Sequence, residues 1–372
     1  MRILFAGGGT GGHLYPGLAI ARALRRLDPA IEPFFVGALR GIERQVLPTT
    51  EFKFELLDLH PLYRSKPWLN VKTLNGAVSA WSRIGSDVKE QAPACVVGTG
   101  GYASGIALGY AALHGIPIAI QEQNSFPGLT TRFFSRYARQ VHNGFPEASR
   151  YLRPGKHTQI FDTGNPIEPP PTPRPDRQVA RAEFGFPAEG GRVMLVYGGS
   201  QGAKAINEAV ATWLARDLPE SLFVIWATGD RTFSEFKNLE TDRVRIKPYL
   251  SPIASAYAAS DFALSRGGAM ATAELCAWGI PPIVVPLPTA AADHQTANAK
   301  ALAAAGAAEF IAQSQLTADR INHSVQALLS DPNLLAERSQ AASNRARPEA
   351  AMDIARHILS MIDVKEIRGP AS

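Results

Sequence analysis

At 372 residues the chain exceeds the roughly 250–300 at which a single hydrophobic core stops growing, so two domains are expected, each able to bury its own core. Hydrophobic residues at 45% and charged residues at 19% are ordinary globular values and exclude a disordered or collagen-like chain. A formal charge of +5 admits anionic lipid, phosphorylated substrates or nucleic acid as partners, or simply a solvated basic surface.

The chain opens with MRILFAGGGT, one arginine and an apolar run too short for a signal peptide, so residues 2–7 are predicted as a first strand. A helix near 16–27, strands at 33–37 and 94–98, a helix at 103–114, a strand at 117–121 and a helix at 129–138 follow. The strands are continuously apolar rather than alternating, which fits buried parallel pairing with helices on both faces. The longest apolar stretch, 104–120, is shorter than the about 20 residues that cross a bilayer and contains His114, Gly115 and Pro117, so no transmembrane segment is expected. Residues 165–176, NPIEPPPTPRPD, are dense in proline, which removes backbone donors and stiffens the chain, and are predicted as a linker.

After the linker the pattern restarts. Strands are predicted at 192–199, 222–229, 244–250, 259–268 and 281–288, and helices at 202–215, 269–278 and 293–305. Three helices, 317–329, 333–347 and 349–363, have no strand between them and are expected to pack outside the sheet. The predicted organisation is α/β, with domains at 1–164 and 177–348 and a terminal segment at 349–372. Cys95 and Cys276 each lie in an apolar run and are read as buried thiols of a reducing compartment rather than a disulfide framework.

Gly7-Gly8-Gly9-Thr10-Gly11-Gly12-His13 satisfies G-x-G-x-x-G between a strand and a helix. A dinucleotide site would also need an acid at the end of the second strand to hold a ribose, and there the sequence has Gly37, Ala38 and Leu39. What remains is an anion cradle: glycines admit close approach of backbone N–H groups and the following helix offers its positive end, so a phosphate or pyrophosphate is expected. The helix dipole disfavours an imidazolium at His13, which suits either a general base or a capping, phosphate-binding histidine. Gly198-Gly199-Ser200-Gln201-Gly202-Ala203 repeats the arrangement in the second half, with the Ser200 hydroxyl available to a phosphate. Ser265-Arg266-Gly267-Gly268-Ala269 opens a third helix that contains Glu274, a carboxylate able to take ribose hydroxyls, and together the three loops indicate a nucleotide-sugar pocket.

Asp293 is placed as an N-cap, and Gln295 and Asn298, three residues apart, share a helix face suited to sugar hydroxyls. The segments Gly100-Gly101-Tyr102-Ala103-Ser104 and Gln121-Glu122-Gln123-Asn124-Ser125 end parallel strands, where open α/β sheets bind ligands. No D-x-D pair occurs, which removes the usual carboxylate clamp for a metal on a nucleotide diphosphate. Residues 62–74, LYRSKPWLNVKTL, with Trp81 beyond them, mix apolar and basic side chains as a membrane interface would, or as a loop and core helix would. No aromatic–basic stacking surface or recognition-helix pattern is present, so nucleic acid is not expected.

The motifs GGGTGGHLYPGLAIARAL, GTGGYASG, QEQNSFPG, TGNPI, YGGSQGAKAIN, SRGGAMATAE and DHQTANA occur in this order across residues 7 to 299, and in this the chain resembles the MurG family of peptidoglycan N-acetylglucosaminyltransferases. The resemblance implies the GT-B fold, two Rossmann-like domains with parallel sheets facing across a cleft and a C-terminal helix returning to the first. It implies inverting, cofactor- and metal-independent transfer from UDP-N-acetylglucosamine to lipid I at an anionic membrane surface, on the cytoplasmic face of the bacterial inner membrane. Among the site residues it implies, Thr10, Gly11 and Gly12 stand near donor and acceptor phosphates, with His13 as base and Glu122 its rival. Tyr102 and Asn124 would contact substrate, Asn124 at the transferred sugar. Ser200 and Gln201 would meet the donor, Ser200 at its phosphates, and the Leu250 backbone the uracil. The run Ala269, Met270, Ala271, Thr272, Ala273 and Glu274 would hold diphosphate and ribose, and Gln295 and Asn298 the sugar. Two positions depart from the family: Glu168 where arginine is usual, and Gln121 where histidine is. A UDP-N-acetylglucosamine 2-epimerase of the same architecture is the alternative.

Overall fold

The strand Arg2–Gly7 (β1) shows why the sheet is buried on both sides. Ile3 and Phe5 point to one face and Leu4 and Ala6 to the other, and all four have at most 1% of their surface exposed. A computed structural model describes residues 1–59, 70–199 and 202–368 and divides them into two units, 1–167 with the segment from 349, and 168–348.

In the first unit β1 is followed by helix α1 (Gly11–Leu27), β2 (Glu32–Ala38), a single turn α2 (Glu43–Val46), β3 (Lys53–Leu57), α3 (Asn70–Gln91), β4 (Cys95–Gly100), α4 (Gly101–Leu113), β5 (Ile118–Glu122), α5 (Leu129–Phe134), β6 (Gln140–Asn143) and β7 (Gln159–Phe161). The seven strands lie in the order β3-β2-β1-β4-β5-β6-β7, every pair parallel, so the order reverses between β1 and β4. Helices α3 and α4 cover one face through Ala80, Ile84, Ala107 and Leu108. On the other face α1 is joined by the last helix of the chain, whose Ile354, Ala355, Ile358 and Ile362 are buried against Leu14, Leu18 and Ala21.

Sequence patterning does not show β6. Its QVHN is polar, yet Gln140, His142 and Asn143 are buried because each finds a tertiary partner. Gln140 donates to the His357 carbonyl at 2.8 Å, and Asn143 donates to Ser149 at 2.8 Å. The His142 ring stacks on Phe161 and His357, and burial first, then His357, pushes its pKa down to about 3.

The second unit runs α6 (Arg177–Glu183), β8 (Arg192–Tyr197), α7 (Lys204–Asp217), β9 (Leu222–Ala227), a turn α8 (Phe233–Phe236), β10 (Val244–Lys247), α9 (Ala254–Ala259), β11 (Phe262–Ser265), α10 (Ala269–Trp278), β12 (Pro282–Val284), α11 (His294–Ala304), β13 (Glu309–Phe310), α12 (Ala318–Ser330) and α13 (Pro332–Arg345). Its six strands, in the order β10-β9-β8-β11-β12-β13, are again all parallel. Residues 165–176 form neither helix nor strand, and Asp176 caps α6 through bonds from the Gln178 and Val179 amides at 2.8 and 3.0 Å. The remaining helix, α14 (Ala350–Arg368), is the one that covers α1.

Asn207 of α7 is the polar pin of this unit. It is 1% exposed, donates to the Thr228 carbonyl and to Thr232 at 2.8 and 3.0 Å, and accepts from the Trp226 indole at 3.0 Å. Asn207→Ala strands the buried Trp226 indole N–H, while Thr228 and Thr232 keep the 2.8 Å bond between them; a loss of about 2 kcal/mol in unfolding free energy is expected, read as a lower urea midpoint by tryptophan fluorescence.

Candidate functional site

β1 delivers the chain into the glycine loop, and α1 begins at Gly11, five residues before the sequence-based start at 16. Thr10 occupies the N-cap position, but its side chain makes no capping bond; its hydroxyl lies 3.2 Å from His13 Nδ1. The same nitrogen lies 3.2 Å from the Gly8 carbonyl oxygen. A carbonyl only accepts, whereas the Thr10 hydroxyl can donate or accept, so the pair of contacts favours the tautomer with the proton on Nδ1, in which Nε2 is left to accept one. First-turn amides at Gly11 and Gly12 have no carbonyl within the helix to serve, which leaves them for an anion.

One expectation for this loop is corrected. The Gly9 amide, predicted as part of the anion cradle, donates instead to Glu43 Oε1 of α2 at 2.6 Å. Glu43 is fully buried and was not among the residues singled out from sequence. The acid missing from the end of β2 thus exists a few residues further on, but it serves the loop and not a ribose, which removes the dinucleotide reading on geometric grounds.

A second glycine turn abuts the first. Gly101 has φ +78°, and a Cβ there would stand 2.2 Å from the Gly8 oxygen, so only glycine fits. At neighbouring Gly100 a Cβ would lie 2.8 Å from His13 Cδ2, which places the β4–α4 turn directly against the imidazole. The Tyr102 ring comes within 3.0 Å of the place a Gly9 Cβ would take. Gln123 donates to the Thr99 carbonyl at 2.8 Å, and Asn165 of the TGNPI motif donates to the Gln123 carbonyl at 3.0 Å, tying this corner to the end of β5. Gln121, where the resemblance leads one to expect histidine, is buried and donates to Asn165 at 3.2 Å.

Glu122 is buried, and burial pushes its pKa up against several opposing hydrogen bonds. Oε1 accepts from the Asn124 amide at 3.0 Å and Oε2 from the Gly128 amide at 3.1 Å. Both oxygens therefore brace the 124–128 turn, an arrangement that suits positioning Asn124 better than collecting a substrate proton.

In the second unit Ser200 and Gln201 lie outside the described residues. Around them Gly199 and Gly202 have φ of +83° and +72°, and a Gly202 Cβ would meet the Thr228 oxygen at 2.3 Å, so Gly202 itself lies tightly against the residue after β9. α10 starts at Ala269 behind Gly268, with no side-chain cap. Met270, Ala271 and Ala273 are half-buried, and Ala269 and Ala271 offer only backbone to a diphosphate. Thr272, within the run expected to hold diphosphate and ribose, is 0% exposed and its hydroxyl donates to the Gly268 carbonyl at 3.0 Å, so its side chain serves the helix start. Glu274, one turn on, accepts from the Tyr257 hydroxyl through Oε2 at 2.7 Å. Burial pushes its pKa up, the Tyr257 bond opposes this, and the neighbouring charge of Glu168 adds to the rise. Leu250 packs its side chain into the core with Tyr197 and Tyr257, leaving its backbone as the part able to meet a base.

The start of α11 also differs from expectation. Asp293 stands at the N-cap with φ +54° and makes no capping bond. Gln295 accepts from the Leu287 amide at 3.0 Å, and its backbone lies so close to Gly267 that a Cβ there would come 2.6 Å from the Gln295 oxygen. Asn298 is 0% exposed and donates to the Gly267 carbonyl at 3.1 Å, so it pins the SRGG loop to α11 and does not present its amide to a sugar. Among the described residues, no three His, Cys, Asp or Glu side chains gather as a metal would require.

Of the basic, apolar segment at 62–74, residues 62–69 lie outside the described residues and the rest begin α3. Trp81 does not extend that surface: its ring packs 5.2 Å from Tyr110 against the first unit's core. Among the described residues no helix is long and apolar enough to cross a membrane. Cys95 and Cys276 are both buried, one in each unit, and burial pushes the Cys276 thiol up to about 12.

Residues 3–143 match the glycosyltransferase family 28 N-terminal domain and 193–354 its C-terminal domain. A UDP-N-acetylglucosamine–N-acetylmuramyl-(pentapeptide) pyrophosphoryl-undecaprenol N-acetylglucosamine transferase of Prosthecochloris aestuarii is 38% identical over 98% of this chain and 100% of its own. The protein of the same name in Salinibacter ruber is 39% identical over 97% of each chain. MurG of Acinetobacter baumannii superposes with a TM-score of 0.75 at 29% identity, over 98% of this chain and 99% of that one. A UDP-GlcNAc 2-epimerase of Neisseria meningitidis superposes at 0.64 with 16% identity, over 97% and 100%, a likeness of fold alone. The two α/β units with parallel sheets are those of the GT-B class that the motifs implied. With relatives this similar over nearly its whole length, the chain belongs to glycosyltransferase family 28 and, within it, to the MurG family.

Proposed function

We infer that the chain is an inverting glycosyltransferase that moves N-acetylglucosamine from UDP-N-acetylglucosamine to the 4-hydroxyl of the muramyl residue of lipid I, giving lipid II in peptidoglycan synthesis. The observation that carries this is 38% identity over 98% of the chain to a transferase of that name. The 2-epimerase alternative has support only from likenesses at 15–16% identity, which bear on fold and not on chemistry.

In the proposed reaction His13 Nε2 takes the proton of the acceptor 4-hydroxyl as that oxygen attacks the anomeric carbon. The bond to the UDP oxygen breaks with its electron pair, and UDP leaves from the opposite face. The amides at the start of α1, beside Thr10, Gly11 and Gly12, face diphosphate. Those at the start of α10, from Ala269 to Ala271, with Ser200 and Gln201, stabilise the charge that develops on the departing diphosphate. Glu274 takes the ribose, Gln295 the sugar hydroxyls, the Leu250 backbone the uracil, and Tyr102 and Asn124 the transferred sugar or acceptor. A lipid acceptor, a charge of +5 and the basic, apolar segment 62–74 support peripheral attachment at an anionic, cytoplasmic membrane face.

Purified chain supplied with lipid I and UDP-N-acetylglucosamine is expected to release UDP and form the β-1,4-linked disaccharide lipid, at a rate unchanged by EDTA. Without acceptor it is expected to form no mannosamine epimer. Absence of UDP release with lipid I, an epimer without it, or a magnesium-restored loss in EDTA would each overturn the reading.

A further inference from the structure

Glu43 is fully buried on α2 beside the glycine loop. Oε1 accepts from the Gly9 amide at 2.6 Å and from the Ala38 amide at 3.3 Å, while Oε2 is buried with no hydrogen-bond partner. Three glycines from separate segments make the space it fills. A Cβ at Gly8 would stand 1.5 Å and one at Gly41 1.8 Å from a carboxylate oxygen, and one at Gly37 would stand 2.9 Å from the Glu43 Cγ. Burying a carboxylate against neutral backbone is costly, and the two amides that Oε1 accepts from offset part of that cost.

The amide that Glu43 accepts from belongs to the Gly8–Gly9 peptide, and the carbonyl of that same planar unit faces His13 Nδ1 at 3.2 Å. A negative charge at the N–H end polarises the peptide, deepens the negative charge on its oxygen and strengthens the bond from Nδ1–H. We propose that Glu43 is a positioning residue for the transfer: through the Gly8–Gly9 peptide its carboxylate holds His13 with the proton on Nδ1 and Nε2 as the accepting atom. This is the carboxylate–imidazole pairing of hydrolytic triads with one peptide interposed. The proposal rests on His13 being the base.

The other titratable or charged groups on the elements around His13 are Tyr15 and, further along, Arg22, Arg25 and Arg26 on α1, Arg40 (paired with Asp58) and Arg44 beside Glu43, Tyr102 and Tyr110 on α4 and Glu122 at the end of β5. Glu43→Gln alters none of them. It keeps the shape and an accepting oxygen but removes the charge. A nearby anion favours the imidazolium, so its loss lowers the affinity of the His13 ring for a second proton. The test is a titration of 15N-histidine-labelled full chain, with His13 assigned by its absence in His13→Gln, beside steady-state rates. Expected are the lower ring pKa, less Nδ1–H tautomer, an acid limb of kcat/KM displaced to lower pH by the same amount, and kcat down about tenfold with the KM for UDP-N-acetylglucosamine unchanged. An unshifted ring pKa and tautomer, or a loss seen only in KM or in the folded fraction, would overturn it. Should Glu43→Gln not fold, Glu43→Asp, which withdraws the charge by one methylene, decides in the same way: a lowered ring pKa supports the relay and an unchanged one ends it. Turnover retained in His13→Ala would instead refute the base, a result independent of the ring titration.

Discussion

His13→Ala is expected to lower kcat/KM with lipid I by about a thousandfold while the affinity for UDP-N-acetylglucosamine stays within about twofold. The split follows from geometry. The imidazole belongs to the first turn of α1 in the first unit, and its Nδ1 is held by Gly8 and Thr10, whereas the groups assigned to the nucleotide, at the starts of α10 and α11, belong to the second. Removing it takes away the proton acceptor but leaves the Gly11 and Gly12 amides and the helix end intact. With donor saturating, the acid limb of kcat is expected to vanish with the ring, while the rise in donor KM at low pH that Glu274 sets remains. Initial rates of UDP release and calorimetric titration of donor test both halves. A variant that keeps its turnover would return the residue to a capping role. If the chain's contribution to wall synthesis also survived, a nucleotide-sugar-binding scaffold would become the better description.

What sequence could and could not show divides by the range of the signal. Strands such as VMLVY and ACVVG are visible because a parallel sheet covered on both faces demands unbroken apolar runs, and the glycine loops are visible because close backbone approach demands glycine over a few consecutive positions. β6 escaped because Gln140 and His142 are made internal by His357 and Phe161, partners far along the chain. Asn298 was assigned to the sugar because its spacing from Gln295 fixes only a shared helix face, not that Gly267 covers that face. Glu43 is missed for the same reason: one acid in GALRGIERQV has no local signature, because Gly8, which folding sets beside the nearby Gly37 and Gly41, is distant in sequence. Looking for an acid at the start of the short helix that follows β2, rather than only at the strand end, finds it.

Glu274→Gln is expected to raise the KM for UDP-N-acetylglucosamine about thirtyfold with a smaller change in kcat, as hydrogen bonds to a charged acceptor are worth roughly 1.5–3 kcal/mol. The Tyr257 hydroxyl takes Oε2, so the other oxygen is the one the proposed ribose contact would use. That contact needs the ionised acid, because ribose hydroxyls donate and a protonated carboxyl offers one acceptor fewer. Burial, with the Glu168 charge as a further contribution, raises the pKa of Glu274 against the opposing Tyr257 bond. Donor affinity should therefore fall as pH drops through a value above the usual carboxylate range, while it is constant at higher pH. Glu168 occupies the place where the family usually carries arginine, and reversing that charge reverses the sign of its effect. Glu168→Arg is expected to lower the pKa of Glu274, displace the rise in KM to lower pH and improve donor affinity a few-fold at neutral pH. KM for the donor measured upward from about pH 4.3, the unperturbed glutamate value, to neutrality separates the possibilities. A profile unmoved by Glu168→Arg would show that the two carboxylates do not sense each other, and a flat profile in the parent chain would remove Glu274 from the ribose.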